Sequence, residues 1–173
     1  MDDKVKIAPV YLVWDGEMIL NANIENSWRH VFNYPSWQNY SSVDLVSGEA
    51  GKEGEVTILR KDEEGFTFPP YCARTIFLQP GKKVIWKTYP ADGDGDYFSG
   101  FIDFRLFDLG EKTRFCYHTI YEFLVTYEHE IELERFKASQ YENFGKLFDS
   151  ILPKLQSLVE SEQKLNLSRG SKS

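Results

Sequence analysis

Inside-outside alternation is clearest between Tyr97 and Phe107. The even positions there are Phe98, Gly100, Ile102, Phe104 and Leu106, and the odd positions include Ser99, Asp103 and Arg105. Successive side chains of a strand point to opposite faces, so the even face is the buried one. In Val84 to Tyr89, Lys87 belongs outside, which turns Val84, Trp86 and Thr88 inward. In Thr113 to Val125, the set Phe115, Tyr117, Thr119, Tyr121 and Phe123 is assigned to the interior. Arg114, Cys116, His118, Ile120 and Glu122 are assigned to the outer face. Arg74 outside leaves Tyr71, Ala73, Thr75 and Phe77 inside, and Val56 and Ile58 are also assigned inward.

Turn signals separate these runs. Asp62-Glu63-Glu64-Gly65, Pro80-Gly81, the acidic run Asp92 to Asp96, and Gly110 each fall between β-prone segments. The last four strands have hairpin spacing and predict an antiparallel meander. Val43 to Gly48 and Val56 to Lys61 precede them as two further strands. Near the start, Val10 to Trp14 and Glu17 to Ala22 flank Asp15-Gly16, which predicts a hairpin or one long bent strand. Ile24 to Phe32 has helical spacing, and a second short helix is predicted over Pro35 to Tyr40, anchored by Trp37.

The chain closes on a predicted helix from Leu133 to Glu162. Its apolar stripe is Phe136, Phe144, Leu147/Phe148, Ile151, Leu155 and Leu158, and Pro153 should kink or restart it. The whole pattern is α+β: a curved antiparallel sheet of about seven strands around a long C-terminal helix, with two short helices after the first strand. One domain is expected over residues 9–163, with residues 1–8 and 164–173 as flexible ends.

Composition narrows the function. Of 173 residues, 16% are aromatic, enough rings to fill a core or line a pocket for apolar ligands. The net charge of −7, without a basic cluster, argues against nucleic acid and against anionic membrane surfaces. No apolar run is long enough for a membrane-spanning helix. The opening Met1-Asp2-Asp3-Lys4 lacks the apolar segment of a secretory leader. Cys72 and Cys116 make no disulfide framework, so the expected setting is cytoplasmic, with reduced thiols. His30, His118 and His129 have no metal-ligand spacing, and no metal or other cofactor is implied.

Three segments carry a resemblance. They are Asn21-Ala-Asn-Ile-Glu-Asn-Ser-Trp28; Asn33-Tyr-Pro-Ser-Trp37 with Gly48-Glu-Ala-Gly51 to Val56; and Thr113-Arg-Phe-Cys-Tyr117 with Tyr141 to Glu162. In this order they resemble the START-like, Bet v 1-like (SRPBCC) superfamily, and within it the polyketide cyclase/dehydrase-like proteins. The resemblance covers about Glu17 to Glu162 and implies the helix-grip fold. It also implies a cavity between sheet and long helix that holds a small hydrophobic molecule, such as a lipid, sterol or polyketide. Activity in that superfamily ranges from carriers and receptors to cyclases, so fold leaves function open.

Within that frame the interior residues become candidates. Tyr71, Thr75, Phe77, Trp86, Thr88, Phe98, Ile102, Phe104, Phe115 and Thr119 would contact the molecule from the sheet. Gln140, Asn143, Phe144 and Leu147 would do so from the helix. Tyr117 and Tyr121 are the catalytic candidates, because a buried phenol can donate to a carbonyl or stabilise an enolate. The plainer reading of each is a phenol satisfied by backbone or water. An enzyme of this kind would be a cofactor-independent cyclase or dehydratase of natural-product biosynthesis. The rival is a non-catalytic carrier or sensor, favoured by the lack of any predicted interior acid, base or lysine. Both a monomer and a homodimer are open.

Three further features have plainer readings. Asp103, Arg105, His118 and Glu122 share the outer face of neighbouring strands and read as solvated ion pairs, becoming acid/base candidates only if the faces are inverted. Asp92-Gly-Asp-Gly-Asp96 starts like a calcium loop, but Tyr97 stands at the sixth position and Asp103 at the twelfth, so a solvated turn is the reading. Gly65-Phe-Thr-Phe-Pro-Pro70 reads either as a lid over the cavity mouth or as an ordinary hairpin loop.

Overall fold

The long run of β-prone residues around Asp15-Gly16 forms one strand, β1 (Lys6–Leu20), with no hairpin inside it. Helix α1 (Ile24–Phe32) follows, and the Asn23 side chain caps it by accepting from the Asn26 backbone N–H at 3.0 Å. Then come β2 (Tyr40–Ser47), β3 (Val56–Lys61), β4 (Tyr71–Gln79), β5 (Lys83–Pro90), β6 (Phe98–Asp108), β7 (Thr113–Tyr127) and α2 (Glu130–Gly170). This computed structural model describes residues 5–34, 37, 40–61, 70–92 and 98–170. The second short helix, the Gly65 to Pro69 loop and Gly93 to Tyr97 therefore lie outside the described residues. Trp37 itself is buried, and its indole N–H donates to the His30 carbonyl at 3.0 Å.

All seven strands pair antiparallel in one sheet of order β1-β7-β6-β5-β4-β3-β2. Chain neighbours are sheet neighbours except β1, which returns to pair with β7 along its whole length. The Pro80-Gly81 turn joins β4 to β5. Gly81 takes a φ of 74° and Lys82 N–H donates to the Gln79 carbonyl at 3.0 Å, the geometry that favours Pro then Gly at its centre.

The predicted inward faces of β5, β6 and β7 hold, because cross-strand partners agree. Trp86, Ile102 and Thr119 lie in one row and are buried together, as do Val84, Phe104 and Tyr117 with partial exposure at Tyr117. Three inward assignments are corrected, Phe77 on β4 and Val56 and Ile58 on β3. Phe77 lies on the outer face, 40% exposed, with the Lys83 ammonium 5.5 Å from its ring centre. A bulge between Thr75 and Phe77 shifts the register, so Phe77 faces Ile85 and Leu78 turns to the core. On β3, Thr57 and Leu59 oppose the inward Ala73 and Tyr71, whereas Val56 and Ile58 oppose Arg74 and Cys72.

Helix α2 covers the concave face and approaches β1 and β7 more closely than any other strand. Its buried stripe is Leu133, Phe144, Phe148, Ile151, Leu155 and Val159; Leu158 is exposed and Val159 takes the place expected for it. The spacing 144, 148, 151, 155, 159 keeps one face of a 3.6-residue helix. The helix continues through Pro153 and beyond Gln163 to Gly170. Its C-terminal part is held by α1: Asn26 Nδ2 donates to Gln163 Oε1, Arg29 and His30 meet Glu162, and Asn166 Nδ2 donates to Asn26 Oδ1 at 3.3 Å.

Candidate functional site

The α1 end of the interior is filled with rings. Trp86 touches Tyr34 (ring centres 4.6 Å), Phe104 (5.4 Å) and Phe32 (6.2 Å), and Phe104 continues to Phe115 (5.1 Å) and Trp37 (5.9 Å). Here the rings of the described residues fill a core and line no pocket, and Trp86, Phe104 and Phe115 are buried parts of it. Toward the start of α2 the packing changes. Phe98 and Phe144 are buried, but Tyr71, Tyr121, Gln140 and Leu147 keep partial exposure. Asn143 is exposed, so its inward assignment is corrected: on α2 the buried positions 144 and 148 turn residue 143 away from the sheet.

Two glycines govern how the candidate tyrosines lie. Tyr117 pairs across to Gly16 on β1, and its phenol occupies the space a side chain at Gly16 would need. Tyr121 pairs across to Gly100 on β6; a Cβ there would stand 2.7 Å from Tyr121 Cδ1 and 2.5 Å from Thr88 Oγ1. Each ring thus lies over a cross-strand glycine, an arrangement that shields the bare backbone. Phe148 stacks on Tyr117 at 5.2 Å with 9° between planes, and Phe144 lies over Tyr121 at 4.7 Å. Because β1 and β6 flank β7 on opposite sides, the two phenols splay apart and do not converge on one point. Thr119 stands between them on β7.

Burial pushes both phenols upward. The Tyr121 hydroxyl is raised well beyond its ordinary value by burial alone. Tyr117 is raised by burial first and then by the negative Asp149 and Asp15. Both stay protonated at neutral pH, which suits donation to a carbonyl or enolate and unsuits either as a base. The buried inward positions of β4, β5, β6 and β7 carry no Asp, Glu, His, Lys or Arg; Asp108, in register with them, is exposed at the end of β6. The same positions carry four buried threonines; Thr113 donates to the Ala22 carbonyl at 2.9 Å, and the hydroxyls of Thr75, Thr88 and Thr119 have no hydrogen-bond partner among the described residues.

The outer-face charges separate into distinct pairs. Asp103 is 8% exposed and receives Arg105 at 2.6 Å and Lys83 at 3.2 Å. Burial alone would raise the Asp103 pKa, but the hydrogen bonds and charges of Arg105 and Lys83 outweigh it and hold the carboxyl below its ordinary value. His118 pairs with Asp15, and Glu122 accepts from the Tyr11 hydroxyl at 2.9 Å. Asp103, Arg105, Cys116, Tyr117 and His118 border an open groove of about 350 Å³. Among the described residues, no three His, Cys, Asp or Glu side chains are grouped to hold a metal. Both thiols are free and pushed up by burial.

Sequence reasoning missed Gly16, Gly100, Lys83 and Asp15. Gly100 carried a signal, as a glycine among large inward residues, but its meaning depends on the partner across the ladder. This seven-stranded antiparallel sheet gripping a C-terminal helix is a helix-grip fold. No family model matches the chain, and no curated protein matches it. Solved structures do match. The Zhui aromatase/cyclase from Streptomyces sp. R1128 superposes with a TM-score of 0.62 at 14% identity, over 87% of this chain and 94% of that one. Norcoclaurine synthase from Thalictrum flavum, in complex with dopamine and hydroxybenzaldehyde, gives 0.57 at 13% identity, over 88% of each chain. A protein of unknown function from Staphylococcus aureus gives 0.67 at 12% identity, over 90% and 98%. Among the described residues no helix is long and apolar enough to cross a membrane.

Proposed function

We propose that this chain encloses a small apolar molecule between the concave face of the sheet and α2, at the end bordered by Tyr71, Phe98, Tyr121, Gln140 and Leu147. The observation that carries this reading is Tyr121. It lies deep enough for burial to raise its phenol strongly, yet it keeps accessible surface. Both properties together, with Phe98 and Phe144 packed on the ring, support a position for Tyr121 in the wall of an internal site. The catalytic form of the reading is a cyclase or dehydratase that acts by positioning and desolvation, with Tyr121 donating to a substrate carbonyl. The fold shared with an aromatase/cyclase supports it. The second reading, a carrier or sensor, is favoured by the absence of a base among the buried inward positions of β4 to β7.

Native mass spectrometry of the purified protein tests enclosure, with a non-covalent adduct released on unfolding as the expected result. Tyr121→Phe then separates the two readings. In a cyclase it should lower turnover of the identified molecule by about 10²-fold or more, with affinity within a few fold. Unchanged turnover removes the phenol from catalysis.

A further inference from the structure

The three unpartnered threonines are not scattered. In the ladder, Thr75 on β4, Trp86 on β5, Ile102 on β6 and Thr119 on β7 form one row. The adjacent row is Ala73, Thr88, Gly100 and Tyr121. The hydroxyls of Thr75, Thr88 and Thr119 therefore mark a band across four strands, on the face toward α2, with Gly100 the one position in it without a side chain. All three residues are at most 1% exposed. A buried hydroxyl without a partner costs stability, and its retention calls for an explanation such as an absent water or ligand. Three on one concave face, beside a partly accessible Tyr121, point to a common acceptor or donor from outside the chain.

Asp108, in register with the same face, is exposed at the end of β6, and the buried part of that face carries no charged group along β4 to β7. A carboxylate or ammonium carried into it would lose its hydration and find only neutral hydroxyls, whereas a ketone, ester or alcohol would lose little and gain hydrogen bonds. From this, and resting on the enclosure reading above, we infer that the molecule taken up is uncharged and oxygen-bearing, and that its oxygens are received by Thr75, Thr88 and Thr119. Threonine hydroxyls both donate and accept, so carbonyl and hydroxyl oxygens are equally served. The hydroxyls are shielded from solvent, so this inference requires the rings packed above them to part when the molecule enters.

Equilibrium dialysis at pH 7 with one ring system tests this. The probes are naphthalene, 2-acetylnaphthalene, 2-naphthoate and 2-naphthylmethylammonium. The expected order puts 2-acetylnaphthalene about three- to tenfold tighter than naphthalene and the two ions about a hundredfold weaker than the ketone. Thr75→Val, Thr88→Val and Thr119→Val should each shrink the ketone's advantage over naphthalene. Each should also raise Tm by about 2–4 °C, because an isosteric apolar group replaces an unpaired hydroxyl. Thr88→Ser, which keeps the hydroxyl, should keep the advantage. Naphthalene bound but naphthoate bound equally well overturns the inference and leaves the enclosure standing. Valine variants that lower Tm, or leave the ketone preference intact, overturn the threonine assignment. Binding of none of the four overturns the enclosure and this inference with it.

Discussion

Replacing Gly100 by alanine tests whether the Tyr121 ring is held flat by the absence of a side chain beneath it. The added methyl would stand 2.5 Å from Thr88 Oγ1 and 2.7 and 3.0 Å from two carbons of the Tyr121 ring. Comfortable carbon contacts lie at about 3.5–4.0 Å, so the ring must retreat by roughly 1 Å. It has little room, since Phe98 stacks on it at 5.6 Å and Phe144 covers it at 4.7 Å. Phe144 is itself buried against Trp14 at 4.7 Å. Overpacking of this kind costs about 1–3 kcal/mol. The smaller entropy of the unfolded alanine chain offsets about 0.4–1 kcal/mol, which is the smaller effect. The expected net loss is about 1–2 kcal/mol, a fall in Tm of roughly 2–8 °C. Thermal unfolding monitored by circular dichroism measures it. The double variant Gly100→Ala/Tyr121→Val removes the clashing ring, so the cycle should show a coupling of about 1 kcal/mol or more in favour of the pair. If Gly100→Ala is neutral or stabilising, or the cycle shows no coupling, then the glycine does not set the position of Tyr121.

Two other outcomes follow from the outer face. Asp103→Asn should cost about 1–2 kcal/mol, less than a fully buried pair would, because Arg105 is half exposed and Lys83 about a quarter exposed. The Asp103 pKa is lowered on folding. Its contribution is therefore present above the ordinary carboxylate value and is lost as pH falls through and below it. Denaturant titrations of wild type and Asp103→Asn should converge at acid pH, and a constant gap would contradict the ion-pair account. Phe77→Ala should cost under about 1 kcal/mol, against the 3–5 kcal/mol of a core phenylalanine. A core-sized loss would place Phe77 back inside.

The two groups of residues at the candidate site differed in how readable they were. Trp86, Thr88, Ile102, Phe104, Phe115, Thr119 and Tyr121 face inward as alternation alone predicts. Their strands run without a bulge in their shared ladder, and a charged residue on the other face marks the outside. Phe77 was misplaced because one bulged residue flips every later side chain, and nothing local announces it. Asp15-Gly16 looked like a turn, but Gly16 serves to admit the Tyr117 ring within a continuous strand. The polar residues after Gln163 predict a loose end; the helix runs on through them, and Asn166 bonds Asn26 of α1, 140 positions away in the chain.

Local pattern by itself determined the order of elements, the amphipathic closing helix and which face of the central strands is apolar, because period and polarity are properties of neighbouring residues. The tertiary structure alone decided that two glycines lie beneath two tyrosines, that Lys83 meets Asp103 and Asp15 meets His118 on the outer face, and that three threonine hydroxyls in one band have no partner among the described residues. Those relations arise between strands, where register brings together positions that the linear chain keeps apart.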